Sequence, residues 1–108
     1  MKRSVLALCL VVILVIGLCS VAYAASHQVL IVNQTGVTIY GLYVSPSASN
    51  NWGSNLLDGY LPSGYQIPVV LYGYSSYGWD IMAVDKNGDS IYWRNVDLNN
   101  LYKFTLLY

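Results

Sequence analysis

Hydrophobic positions follow two different patterns along this chain. An unbroken apolar run extends from Val5 to Leu18, whereas from Val29 onward apolar and polar residues alternate with period two. Alternation of this kind is typical of strands that bury one face, and turn residues at short intervals favour antiparallel pairing. No segment has the 3.6-residue period of an amphipathic helix. The region from Val29 onward is therefore predicted to be an all-β domain.

Turn residues divide this region into predicted strands: 29–33, 37–44, 66–71, 79–84, 89–94 and 101–108. The turn Gln34-Thr35-Gly36 predicts that the first two strands form a hairpin. Asn87-Gly88 predicts a second hairpin with a type I′ turn, which needs positive φ at both central residues. Pro68 lacks an N–H donor and therefore indicates an edge strand. The resulting architecture is a small antiparallel β-sandwich or partly open barrel of about six to seven strands.

The alternation also assigns side chains to faces. Trp79, Ile81 and Ala83 are predicted to share a face, and Trp93 and Phe104 are predicted core residues. In the second strand, one face carries Val37, Ile39 and Tyr43 and the other carries Thr38, Tyr40 and Leu42. The last strand is predicted to complete the core with Tyr102, Phe104, Leu106 and Tyr108.

The N-terminal region has the three parts of a secretory signal peptide. Lys2 and Arg3 precede an apolar run too short to span a bilayer, and Ala22-Tyr23-Ala24 is a small-x-small cleavage site. We predict a signal peptide over residues 1–24 and a single β-domain over residues 25–108. The protein is accordingly expected to be secreted or periplasmic, with no membrane span in the mature chain.

Both cysteines, Cys9 and Cys19, lie in the predicted leader, so the mature domain is expected to fold without a disulfide. Cys19 raises the alternative of a lipoprotein. Lipoprotein processing prefers a leucine three residues before the cysteine and a small residue directly before it, but Ile16 and Leu18 occupy those positions. Cleavage after Ala24 is therefore favoured.

The chemistry of the mature region argues against several function classes. Its three basic residues face five aspartates, a net charge of −2 that disfavours a nucleic-acid partner. It contains no cysteine and no glutamate, and its single histidine, His27, lies near the predicted N-terminus. Cysteine or serine nucleophiles with a histidine base and zinc sites are therefore disfavoured. A paired-aspartate hydrolase would need a cleft that 84 residues can hardly enclose. We predict that the protein is not an enzyme.

The segment Asp85-Lys86-Asn87-Gly88-Asp89 resembles the start of a calcium loop. The position of the closing bidentate acid holds Val96, so a hairpin turn with solvated acids is the preferred interpretation. Calcium bound by Asp85, Asn87 and Asp89 is the alternative, with further ligands drawn from the other aspartates if these converge: Asp58, Asp80 and Asp97. No other cofactor is predicted.

Ten tyrosines and three tryptophans in the mature region allow two interpretations. They either fill and border the β-core or form a binding surface for a carbohydrate or protein partner. The glycine- and serine-rich stretch 72–78 favours the second for Tyr72, Tyr74 and Tyr77, joined by Tyr60 and Tyr65. Trp52 is a further candidate ligand-binding residue.

Several motifs together resemble a group of small exported bacterial proteins of unknown function: Asn33 with Thr35-Gly36, Leu42 to Ser47, Trp52 to Leu57, Gly59 to Gly64, Trp79-Asp80-Ile81 and Asp85 to Gly88. The resemblance implies a bacterial periplasmic or secreted protein and implies no activity. Within it, Trp52, Leu56 and Leu57 are predicted to close one end of the sandwich. Alternatively, the loop from Ser45 to Asn55 presents polar groups to a ligand above Trp52.

These observations predict an exported, non-catalytic β-sandwich that binds a protein or carbohydrate partner at the cell envelope. Binding is expected through the tyrosine-rich loop or an edge strand. A calcium-stabilised structural module is the alternative.

Overall fold

A computed structural model describes residues 26–108, and the predicted signal peptide lies outside this range. Six strands and one short 3-10 turn form the described region: β1 (Ser26–Gln34), β2 (Ile39–Pro46), β3 (Gln66–Tyr72), β4 (Trp79–Asp85), β5 (Ser90–Val96), the turn Leu98–Asn100, and β6 (Lys103–Leu107). The predicted all-β class is confirmed. In this part of the chain, no helix has the length and apolar character needed to cross a membrane.

The strands form two three-stranded sheets, ordered β3-β1-β6 and β2-β4-β5. All neighbours are antiparallel except β1 and β6, which run parallel with Leu30 opposite Lys103. The edge position predicted from Pro68 is confirmed, because β3 borders the first sheet.

The predicted hairpin between the first two strands is wrong, because β1 and β2 lie in different sheets. Between these strands the chain turns a corner from one sheet to the other, and the fully buried Asn33 stabilises this corner. Its Nδ2 donates to the carbonyls of Val37 and Leu61, both at 2.9 Å, and its Oδ1 accepts the N–H of Thr35 at 3.0 Å. These bonds direct the chain from one sheet to the other, where the apolar faces of β1 and β2 contribute to the common core.

The core lies between the two sheets and is built from the inward-facing residues of every strand except β5, together with two residues outside the strands. Its buried members are Val29, Ile31, Ile39, Leu42, Leu61, Val69, Leu71, Trp79, Ile81, Ala83, Leu98 and Leu106. Trp93 and Phe104 are half-buried and pack against it, as predicted. Tyr102 and Tyr108 are exposed, contrary to the expectation for the last strand, because they lie just outside β6.

An irregularity in β2 also reverses one predicted face. Ile39 and Leu42 are both fully buried, although simple alternation places them on opposite faces. The register shifts between Ile39 and Gly41, and this β-bulge inverts the alternation that follows. Asn55 spans the bulge, since its Nδ2 donates to the Tyr40 carbonyl at 3.0 Å and its Oδ1 accepts the Leu42 N–H at 2.9 Å. The loop after β2 therefore covers the edge of this strand.

The hairpin predicted at Asn87-Gly88 is confirmed, but its turn type is not. Among the described residues, Gly88 has φ +83° whereas Asn87 is not in the positive-φ region. The Gly88 N–H donates to the Asp85 carbonyl at 3.1 Å, and the Asp85 N–H donates to the Asp89 carbonyl at 2.9 Å. This is the pattern of a type I turn closed by a glycine bulge. The predicted type I′ turn is wrong because only one of the two residues needs positive φ here.

Candidate functional site

An open pocket with a volume of about 190 Å³ lies on the outer face of the β2-β4-β5 sheet. We call it the Trp52 pocket. Its lining residues are Ser45, Ser49, Asn50, Asn51, Trp52, Asp80 and Arg94. Ser45 on β2 pairs with Asp80 on β4, so both lie on the same face. Because Trp79 and Ile81 are buried in the core, alternation directs the side chain of Asp80 to the opposite side of the sheet.

A β-bulge in β5 adjoins this pocket at Arg94. Trp79 pairs with Val96 and Ile81 with Trp93, so β5 has one more residue than β4 over this interval. Asn95 in the bulge has φ +55°, the positive-φ region that asparagine tolerates better than most residues. Its N–H donates to Asp80 Oδ1 at 3.0 Å. The pocket therefore depends on a backbone irregularity that the alternation of apolar and polar residues in the sequence does not reveal.

Asp80 is the central acceptor of the site. Its Oδ1 accepts from Ser47 Oγ at 2.7 Å as well as from the Asn95 N–H, and its Oδ2 accepts from Arg94 Nη1 at 3.0 Å. Burial raises the pKa of this carboxyl, but the hydrogen bonds from Asn95, Ser47 and Arg94 and the charge of Arg94 outweigh it, so the pKa lies below its ordinary value of 3.8. Asp80 is therefore ionised at neutral pH.

Arg94 is held by aromatic rings as well as by Asp80. Its guanidinium carbon lies 4.8 Å from the ring centroid of Tyr92 and 5.7 Å from that of Trp52. The two rings are 6.1 Å apart and tilted by 42°. The Arg94 side chain remains 58% exposed, and a guanidinium has five N–H donors. Arg94 therefore keeps donors for a ligand while its position is restricted.

The pocket combines three recognition chemistries. Trp52 supplies an apolar ring surface, Arg94 and the asparagines supply donors, and Asp80 and Ser45 supply acceptors. Tyr92 supports this arrangement from beside the pocket, because its ring packs against Arg94 and Trp52. A hydroxyl-bearing molecule with apolar C–H faces, such as a sugar ring, matches this combination. Asp80 and Arg94 neutralise each other, so the wall does not strongly favour an ionic ligand.

The structure divides the predicted ligand-binding residues between two places. Trp52 lies in the Trp52 pocket, whereas Tyr74 and Tyr77 line another pocket on the β3–β4 loop. Tyr72 lies at the end of β3 and, like those two, is exposed. Tyr60 packs against Tyr40 with ring centroids 5.7 Å apart, and Tyr65 is exposed. The predicted tyrosine set does not form one stacked platform.

Tyr92 and Arg94 were missed as site residues, and Asp80 was considered only as a calcium ligand. The signal available in the sequence was the alternation in the fourth and fifth strands, which places Asp80, Tyr92 and Arg94 away from the core. Their meeting with Trp52 depends on the course of a long loop, which local patterns do not describe.

Of the three residues predicted to close one end of the sandwich, only Leu57 packs against the core. Leu56 is exposed, and Trp52 is half-buried beside Arg94. Residues of the loop from Ser45 to Asn55 border the Trp52 pocket, and the alternative interpretation, in which this loop binds a ligand, stays a prediction.

The predicted calcium residues Asp85, Asn87 and Asp89 lie in the β4–β5 turn. Asp85 Oδ1 accepts the N–H groups of Asn87 and Asp89, both at 2.9 Å, which are bonds that stabilise the turn. Within residues 26–108, no three acidic, histidine or cysteine side chains form a group that could hold a metal ion. The convergence considered for Asp58, Asp80 and Asp97 is not observed, and calcium binding stays a prediction.

No protein-family model, no curated protein and no solved structure matches the chain. The resemblance to small exported bacterial proteins accordingly stays a prediction.

Proposed function

We propose that this chain is an exported, non-catalytic domain that binds a carbohydrate at the cell envelope through the Trp52 pocket. The observation that carries the proposal is the fixed position of Arg94, which is bonded to Asp80 and packed against the rings of Trp52 and Tyr92. A guanidinium restrained in this way loses little side-chain entropy when it bonds a ligand.

A sugar unit suits this pocket in shape and chemistry. Its C–H face packs on an aromatic ring, and its hydroxyls bond to Arg94, to the loop asparagines and to a remaining lone pair of Asp80. The volume of about 190 Å³ is smaller than the roughly 300–1,000 Å³ of pockets that enclose drug-sized ligands. One sugar unit at a time is therefore the expected occupant.

The state of Asp80 supports binding rather than hydrolysis. A glycosidase needs a carboxylic acid with a raised pKa to protonate the leaving group. Asp80 has a lowered pKa and accepts three hydrogen bonds, so it is a poor proton donor at neutral pH. The role we assign to it is to hold Arg94 and the bulge while accepting a ligand hydroxyl.

The predicted signal peptide supports the location in this proposal. A secreted or periplasmic protein meets surface glycans of its own or a neighbouring cell. The same location permits a protein partner, and the exposed tyrosines would then be the contact surface.

The test is binding of the purified protein to a glycan array, followed by calorimetric titration with the glycans that bind. Trp52→Ala and Arg94→Lys are expected to weaken binding at least tenfold, because the first removes the ring and the second removes the planar fork that Asp80 holds. Tyr60→Ala is the matched control, since Tyr60 is an exposed aromatic residue outside the pocket.

Binding that survives Trp52→Ala unchanged would refute the assignment of this pocket. An array without any bound glycan would refute carbohydrate recognition and favour a protein partner.

A further inference from the structure

Two pockets of this protein adjoin at the bulge of β5. The second, which we call the tyrosine pocket, has a volume of about 310 Å³. Its lining residues are Tyr74, Ser75, Ser76, Tyr77, Gly78, Asn95, Asp97 and Asn99. Arg94 lines the Trp52 pocket and the next residue, Asn95, lines the tyrosine pocket. Neighbouring residues of β5 therefore border the two pockets, and we call this stretch, Arg94 and Asn95, the shared wall.

Hydrogen bonds make this shared wall rigid. Asn95 donates its N–H to Asp80 in the first pocket and its Nδ2 to the Tyr77 carbonyl, at 3.1 Å, in the second. The Ser47 N–H donates to the Gly78 carbonyl at 3.0 Å. A Cβ at Gly78 would lie only 2.9 Å from the Asn95 carbonyl carbon, so the backbone directly before β4 approaches β5 closely here. The relative position of the pockets is therefore built into the backbone.

The tyrosine pocket carries exposed rings on an ordered loop. Tyr74 and Tyr77 are 76% and 72% exposed. Asn99 holds the loop, because its Oδ1 accepts the Ser75 N–H at 3.2 Å and its Nδ2 donates to the Ser75 carbonyl at 2.7 Å. The same Oδ1 accepts Trp79 Nε1 at 2.8 Å. Tyrosines on a fixed loop offer ring surface and a hydroxyl at low entropic cost.

We propose that the Trp52 pocket and the tyrosine pocket are neighbouring subsites for one extended, hydroxyl-rich chain. The ligand is then an oligosaccharide with successive units on the two sides of the bulge, and Tyr77 is a specificity residue for chain length. This inference rests on the proposed function of the Trp52 pocket. It adds that a single sugar unit occupies only one of the two subsites.

The experiment uses calorimetric titration of the purified protein with β-1,4-linked oligomers of glucose and of N-acetylglucosamine. Each series contains one, two and four units. Affinity is expected to rise at least tenfold from one unit to four units, since both subsites are then filled. Tyr77→Ser is expected to abolish this gain without changing the affinity for one unit at the Trp52 pocket. Trp52→Ala is expected to weaken binding at least tenfold at every length.

Tyr102→Ser is the matched control, because Tyr102 is 78% exposed and lines neither pocket. Tyr74→Ser provides a second variant on the same rim, and circular dichroism establishes that each variant is folded. Equal affinity for all lengths, or a gain in affinity that survives both tyrosine variants, would overturn the inference and leave the Trp52 pocket in place. Absence of binding to both series at every length would overturn the inference of two subsites for these chains, whereas the glycan array decides the proposed function independently.

Discussion

Asp80 offers a direct test of how the pocket is built, because its carboxylate joins three elements. It bonds Ser47 in the loop after β2, and Asn95 and Arg94 in the bulge of β5. Replacing Asp80 by alanine removes the two oxygens that accept all three hydrogen bonds, whereas Asp80→Asn retains one oxygen that can still accept from Ser47 and Asn95. Comparison of the two variants therefore distinguishes the contribution of the bulge hydrogen bonds to stability from that of the ion pair with Arg94.

The expected loss follows from the environment of each bond. The Asn95 N–H loses a charged acceptor, which costs about 1.5–3 kcal/mol, and the part-buried Ser47 hydroxyl adds about 1 kcal/mol. The half-exposed Arg94 adds at most about 1 kcal/mol, because water replaces its partner. Asp80→Ala should thus lower the free energy of unfolding by about 2.5–5 kcal/mol, and Asp80→Asn by about 1–2 kcal/mol.

The effect should also depend on pH with a defined sign. Because the folded-state pKa of Asp80 is below its ordinary value, its contribution to stability is complete above about pH 5 and is lost as the pH falls through the folded-state pKa. The stability difference between wild type and Asp80→Asn should therefore be constant from about pH 5 to 8 and should narrow below about pH 4.

Urea denaturation monitored by tryptophan fluorescence measures these differences. Asp89→Ala is the control, because Asp89 is exposed in a turn and its replacement should change stability by less than about 0.5 kcal/mol. A loss below about 1 kcal/mol for Asp80→Ala would refute the claim that this carboxylate holds the bulge.

Three further predictions concern the corner, the shared wall and the calcium alternative. Asn33→Ala should lower the unfolding free energy by about 3 kcal/mol or more in urea denaturation, since it leaves buried backbone groups unpaired, while the exposed neighbour Gln34→Ala should have little effect. Gly78→Ala should be much more destabilising than Gly64→Ala in the same assay, because both glycines have positive φ but only Gly78 lacks room for a Cβ; equal losses would contradict the close contact with Asn95. A calcium site would raise the melting temperature of the protein in millimolar calcium relative to chelator, and an unchanged midpoint would rule out a tight site.

Much of the fold was predictable because strands and turns are encoded locally. The alternation of Trp79, Ile81 and Ala83 identified β4 and its buried face, and Asn87-Gly88 identified the hairpin that follows. Pro68 identified an edge strand, since a missing N–H is a property of one residue wherever the chain goes.

The errors arose where the backbone departs from regular alternation or where partners are distant in sequence. A bulge at Gly41 inverted the faces of β2, and a glycine bulge replaced the type I′ turn. Recognising the Trp52 pocket requires both the local residue pattern and the long-range arrangement of the strands. Trp52 was recognisable as a candidate, but Asp80 and Arg94 join it only through the register of β4 and β5 and the path of a long loop.

By itself, the sequence determined the all-β class, the approximate strands and the residue types available for binding, because period-two burial and turn chemistry act over a few neighbouring residues. Only the tertiary structure decided that β1 pairs with β3 and β6, that the Asn95 N–H in the β5 bulge bonds Asp80, and that two pockets adjoin at Arg94 and Asn95. Backbone hydrogen bonds are nearly the same for any pair of strands. The choice of partner is therefore made by the packing of the whole core rather than by any local segment.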